Sequence, residues 1–230
     1  INGLEERLPK NGARFHFEIK DSTQGWRTGI GDQFCETKIS NVEYKSNIGE
    51  RALKISYNNL SVDHISEVYV ETFFPEVILQ LEGKKRKDFF HYDYISCPTI
   101  FSGQTVKIEI ENISPHKVSI ALFSKHWGED DKLEKITSNS SELNINEKKE
   151  ISWEIPNTEA NPVGQIGIDI ISKNNQSGEV MLNYVNFEGE PKQIFKRPEH
   201  IESYKRGIEK KEGYYGQIWR NAWVQTLDKW

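Results

Sequence analysis

Val106, Ile108 and Ile110 alternate without a break against Lys107, Glu109 and Glu111 in the stretch 105–112. Such alternation is what a strand with one face in a core and the other in water must show. The pattern recurs along the chain. Phe15, Phe17 and Ile19 alternate with His16 and Glu18, and Val68, Val70 and Thr72 with Tyr69, Glu71 and Phe73, until Pro75 ends the run for want of a ladder donor. Further strand-like segments lie at 34–44, 52–57, 89–95, 117–124, 133–138, 150–155, 165–171 and 180–187, separated by turn residues. The run Asn174-Asn175-Gln176-Ser177-Gly178 marks a hairpin, and Asn139-Ser140-Ser141 a polar turn. Short strands at this spacing, with no helical period before residue 198, predict an all-β fold, an antiparallel β-sandwich or jelly roll. No motif recurs at the spacing of a propeller blade or solenoid repeat, which argues against both.

The composition can support such a core. Only 36% of residues are hydrophobic, but six Trp, nine Tyr and eleven Phe each bury a large area. The net charge of −5 gives no basic field to draw nucleic acid, and no apolar run has the length of a membrane span. Residues 191–230 are the exception in charge, with nine basic side chains against five acidic ones. Two regions follow: a sandwich over 1–195, then a charged linker and helix over 196–230. In the latter, Ile218, Trp219, Ala222, Trp223, Thr226, Leu227 and Trp230 form one apolar face of a short amphipathic helix, which packs on the sandwich or leads into a following module. The chain begins at Ile1 rather than Met and reads as a fragment, so it leaves the compartment open: soluble, bacterial cytoplasmic or secreted. Cys35 and Cys97 have no metal-binding spacing and read as two buried thiols, the alternative being a single bridge between them.

No catalytic constellation stands out. The six His make no zinc spacing, and neither a nucleophile elbow nor a phosphate loop is present. Lys84-Lys85-Arg86-Lys87 reads as a solvated hairpin tip and Trp127-Gly128-Glu129-Asp130-Asp131 as a solvated loop without the spacing of a calcium loop. Phe90, Tyr92 and Tyr94 form a three-ring stripe that serves either the core or a stacking platform. Trp26 and Trp127 fall in loops, so Trp26, Tyr92 and Trp127 are the candidate ligand platforms. Glu18 has two readings: a solvent-facing acid, or a ligand of a structural Ca²⁺ completed near Gly49 and by the side chain of Asn183. Asn59, Asn112, Asn139 and Asn175 open N-x-Ser sequons, which mark surface loops if the chain is secreted from a glycosylating cell.

The opening, FHFE with Gly25-Trp26 and then Gly49-x-x-Ala52-Leu53-Lys54-Ile55, resembles galactose-binding-like jelly rolls of the carbohydrate-binding-module kind. The run from Cys97 to Val106 resembles one in the non-catalytic C-terminal region of large bacterial ADP-ribosylglycohydrolase-type proteins. Trp153-x-Ile155-Pro156, Gly167-Ile168, Gly178-x-Val180-x-Leu182-Asn183-Tyr184-Val185 and Gly189-x-Pro191 continue it in order. Trp219-x-x-Ala222-Trp223-Val224 is similar to the link into a second jelly roll. The resemblance implies a non-catalytic accessory module that binds glycans by aromatic stacking, or a docking domain that packs against neighbouring domains of the same polypeptide. Two residues depart from the pattern: Cys97 where Ser is expected, and Asn183 where such modules carry Asp, which would weaken a Ca²⁺ site by one charge.

Overall fold

The computed structural model describes residues 15–29, 35–46, 48–62, 64–72, 100–127, 133–158, 163–190 and 192. They build strands β1 (Arg27–Thr28), β2 (Glu36–Glu43), β3 (Arg51–Leu60), β4 (Ile65–Glu71), β5 (Thr105–Asn112) and β6 (Val118–Trp127). They continue with β7 (Leu133–Thr137), β8 (Ser141–Leu143), β9 (Lys148–Glu154), β10 (Val163–Ile171) and β11 (Gln176–Glu188). The first sheet runs β2-β3-β11-β5-β9; the second runs β1-β4-β10-β6-β7, with β8 also on β6. Every ladder is antiparallel. Among the described residues there is no helix, and none long and apolar enough to cross a membrane.

The alternation of β5 places its residues as its sequence demands. Val106, Ile108 and Ile110 are fully buried, and the charged residues between them stay partly exposed. Facing them from the second sheet are Val68, Val70, Ile120, Leu122, Ile166, Ile168 and Ile170, while Leu53, Ile55, Val180, Leu182 and Val185 complete the first sheet's inner face. Each such side chain contributes about 1.5–3 kcal/mol of burial. The result is a two-layer β-sandwich with a single apolar interior.

Four expectations need correction. Residues 15–19 form no strand: among them Phe15 alone pairs, exchanging both backbone hydrogen bonds with Val185 at 2.9 Å. Phe17 then adopts φ 59°, a left-handed conformation that breaks the extended run. The Oε1 of Gln24 accepts the N–H groups of His16 (3.0 Å) and Phe17 (2.8 Å), satisfying donors that a ladder would have used. Trp127 is not in a loop but is the last residue of β6, paired with Leu133. Ser141 leaves the polar turn to open β8. Asn112 is no surface sequon. It is fully buried, its Nδ2 donating to the carbonyls of His116 (2.8 Å) and Asn144 (3.0 Å) and its Oδ1 accepting from the N–H of Ser114 (2.9 Å). Asn59, Asn139 and Asn175 are exposed. Cys35 is buried beside Thr37. Cys97, the basic run 84–87, the ring stripe and the C-terminal helix lie outside the described residues.

Candidate functional site

Because β4, β6 and β10 give their apolar alternates to the core, the intervening residues share the outer face of the second sheet. Register sets them in rows: Gln165 stands between Glu71 and Lys125, Gly167 between Tyr69 and Phe123, and Asp169 between Glu67 and Ala121. Lys135 joins from β7, opposite Lys125.

This outer face is unusually well covered. Phe123 has no exposed surface, although it points away from the core. It lies across Gly167, where a Cβ would sit 2.2 Å from its ring. Two ammonium groups cap it, Lys135 Nζ at 4.1 Å from the ring centroid and Lys125 Nζ at 5.2 Å. Lys125 also reaches over Tyr69 at 5.7 Å, with Arg27 at 6.0 Å. The lysines are held there by carboxylates. Lys125 Nζ lies 2.6 Å from Glu67 Oε1, and Lys135 Nζ bridges Glu67 Oε2 and Asp169 Oδ1, each at 2.8 Å. Burial pushes the Glu67 carboxyl up, but its bonds to Lys125 and Lys135 outweigh that and leave it below the usual range. For Asp169 burial wins, and its pKa is raised in spite of Lys135.

Glu71 is different. It is 7% exposed and makes no ion pair among the described residues; its one hydrogen bond is taken from Gln165 Nε2 at 3.1 Å. Burial raises its pKa, with the bond from Gln165 and the charges of Arg27 and Lys125 only partly opposing. Gln165, 8% exposed, leaves its Oε1 buried with no hydrogen-bond partner. Among the described residues this corner therefore has acceptors without donors, on a face where Phe123 and Tyr69 are covered by cations. It can hold hydroxyl or amino groups; it cannot stack a sugar on Phe123 while the lysines stay in place.

The candidate platforms fare differently. Trp26 is only 2% exposed, packed edge-on against Phe15 at 5.8 Å and Phe17 at 6.5 Å. It lies outside the strands, next to the start of β1, but its ring is packed into the core and offers no face to a sugar. The side chain of Trp127 and the whole of Tyr92 lie outside the described residues.

Of the three metal candidates, two are brought together. The carboxylate of Glu18 lies against Gly49, where a Cβ would sit 1.9 Å from Oε1, and it accepts the N–H groups of Glu50 (3.2 Å) and Arg51 (3.1 Å). Asn183 makes no hydrogen bond to either, but it follows Leu182, which pairs with Leu53, two residues beyond Arg51. It sits at the β11 bulge, 1% exposed, with Nδ2 donating to Glu109 at 2.9 Å and Oδ1 buried without a partner. Carboxylate and amide oxygens are the ligand type a hard cation such as Ca²⁺ takes, but among the described residues no three acidic, His or Cys side chains cluster to hold a metal, and Asn183 is not hydrogen-bonded to Glu18.

The outer face of the first sheet is mutually neutralised. Lys107 pairs with Glu150 (3.1 Å), Lys148 with Glu111 (3.4 Å) and Lys54 with Glu179 (3.1 Å), and the Tyr184 hydroxyl donates to Glu150 at 2.6 Å.

No family model matches the chain, and no curated protein matches it. Solved structures do match. One, from work on the promiscuous specificity of carbohydrate-binding modules of the β-sandwich superfamily, aligns with a TM-score of 0.53 and 15% identity, over 77% of this chain and 62% of that one. A second is the CBM22-1 xylan-binding domain of Paenibacillus barcinonensis Xyn10C, at a TM-score of 0.48 and 8% identity, over 76% and 90%. The fold is that of a β-sandwich of the carbohydrate-binding-module type. At this identity the likeness is one of architecture.

Proposed function

We propose that the chain is a non-catalytic carbohydrate-binding module, and that it grips its glycan on the outer face of the second sheet through Glu71 and Gln165. The observation that carries this reading is the buried, unpartnered Oε1 of Gln165 beside the unpaired carboxylate of Glu71. Sugars supply hydroxyl donors in adjacent pairs, and neighbouring carboxylate and amide acceptors on paired strands are suited to read them. Recognition would rest on hydrogen bonds more than on stacking, since Tyr69 and Phe123 are capped by cations. Trp127, two residues beyond Lys125 on β6, is proposed to extend the same site. Service as an accessory module of a larger ADP-ribosylglycohydrolase-type protein rests on the sequence resemblance alone.

Glycan-array screening followed by titration calorimetry tests the reading. Binding to at least one polysaccharide should weaken roughly tenfold or more in Gln165→Ala, which removes the neutral amide proposed to meet the sugar and the bond it gives Glu71. No binding to any glycan, or binding indifferent to Gln165, overturns it and leaves the docking reading.

We also propose that Glu18, Gly49 and Asn183 hold a structural Ca²⁺, supported by the orphaned Asn183 Oδ1. Bound there, the ion would tie the loop after Phe15 to the start of β3 and to β11.

A further inference from the structure

The acceptors at the Glu71–Gln165 corner are not equivalent to those of an ordinary sugar-binding surface. Glu71 is an almost fully buried carboxylate whose hydrogen-bond donor among the described residues is an uncharged amide. Its nearest cations are engaged elsewhere: Lys125 with Glu67 at 2.6 Å, and Arg27 over the ring of Tyr69. A buried carboxylate in that position has no cation in ion-pair contact among the described residues, whereas Glu67 and Asp169, on the same face, both have one. Beside it, Gln165 Oε1 has no donor among the described residues. A hydroxyl offers one proton and no charge. A protonated amine offers three N–H donors on one atom and the charge that Glu71 lacks, so a single group can satisfy both residues. The acidic net charge of the chain adds a weak long-range attraction in the same sense.

Resting on the carbohydrate reading above, we propose that the Glu71–Gln165 corner selects glycans bearing a free amino group, that is, 2-amino-2-deoxy sugars over their N-acetylated or neutral counterparts. Glu71 is the specificity-determining residue: its carboxylate takes the ammonium directly. Gln165 orients that group through its free amide oxygen. N-acetylation removes both the charge and two of the three donors, and leaves a bulky amide where the corner is closely packed.

The test compares three ligands by calorimetry on the full chain at pH 6.5: the β-1,4-linked glucosamine hexamer, its fully N-acetylated form, and a neutral xylo- or cello-hexaose. The amino hexamer is expected to bind at least tenfold more tightly than the N-acetylated one. Glu71→Gln should abolish that preference by losing roughly tenfold to a hundredfold in affinity for the amino form, with little change for the neutral ligands. Glu43→Gln, an exposed acid on β2 away from the site, should leave the preference intact; if it erodes the preference as much as Glu71→Gln, bulk charge explains the selectivity and the proposal falls. Circular dichroism and thermal melting establish that each variant is folded. Equal affinity for all three ligands, or a preference unmoved by Glu71→Gln, overturns the amine specificity while the carbohydrate reading stands. Binding neither to any of these three nor to any other glycan on the array removes that reading and this inference with it.

Discussion

A methyl group at position 167 would lie 2.2 Å from Cζ of Phe123 and 2.5 Å from the carbonyl oxygen of Val68. The ring can swing away only by displacing the lysines above it, and the carbonyl belongs to the β4–β10 ladder. Gly167→Ala should therefore cost about 1–3 kcal/mol, as overpacking generally does, read as a lower midpoint in urea unfolding. An unchanged midpoint would mean that Phe123 is not held across the strand. Asn183 gives a second prediction at this scale. Its Oδ1 is neutral, so Asn183→Asp would add one charge to the proposed Ca²⁺ ligands. Calcium should raise the melting temperature of the native chain, and raise it further in the Asp variant. In chelator the variant should melt lower than the native chain, because the new carboxylate is buried beside Glu109. Melting temperatures indifferent to calcium in both would dismiss the site.

At the scale of elements, the strands were legible because their periodicity is a direct image of burial, and the connections were not. The alternation in β5 is local information: each residue's neighbours two positions away already say which face it is on. The stretch 14–19 shows the same alternation, and Phe15 and Phe17 do face the core, yet only one bridge forms. What overrides the pattern is Gln24, seven and eight residues on, whose amide oxygen captures both N–H groups. Asn112 misled for a related reason. Its sequon looks like a loop, but its amide joins the β5–β6 turn to the β8–β9 turn, reached through residues more than thirty positions away. The backbone extends that junction, Asn112 N–H donating to Glu147 and Asn146 N–H to Asn112. Asn112→Ala should cost about 2–4 kcal/mol by stranding two carbonyls and one N–H, seen as a lower midpoint in denaturant. A loss under about 0.5 kcal/mol would mean that water replaces the amide easily. The candidate site was half readable. Glu71 stood on the outer side of its alternation, but that Gln165 lies opposite it follows only from the pairing of β4 with β10.

For the whole molecule, buried titratable groups set an opposed pair of dependences on pH. His16 and His116 are held below the ordinary histidine value by burial, the nearby Glu18 only partly offsetting this for His16. A depressed histidine contributes stability that is complete above about pH 6.5 and is lost as pH falls through its folded value. For His16 the cause is concrete: its Nδ1 accepts the N–H of Glu18 at 3.1 Å, which a protonated ring cannot do. Glu71 and Asp169 act the other way. Burial raises both, so each costs stability at neutral pH, and that cost is relieved as pH falls through the raised value. Glu71→Gln removes one such cost while keeping the shape of the side chain. The variant should thus melt above the native chain at pH 7.5, and its advantage should shrink steadily towards pH 4, where the native carboxyl is protonated. Melting curves of both proteins across that range decide the matter. A gain that persists at pH 4 would have to come from packing, and a variant less stable at pH 7.5 would show that Glu71 already has a counter-charge. The second outcome would also remove the reason for a cationic ligand at this corner. If the gain appears as expected, the site holds an acid that destabilises the fold and is retained by the face that binds, the trade between stability and function that a binding site allows.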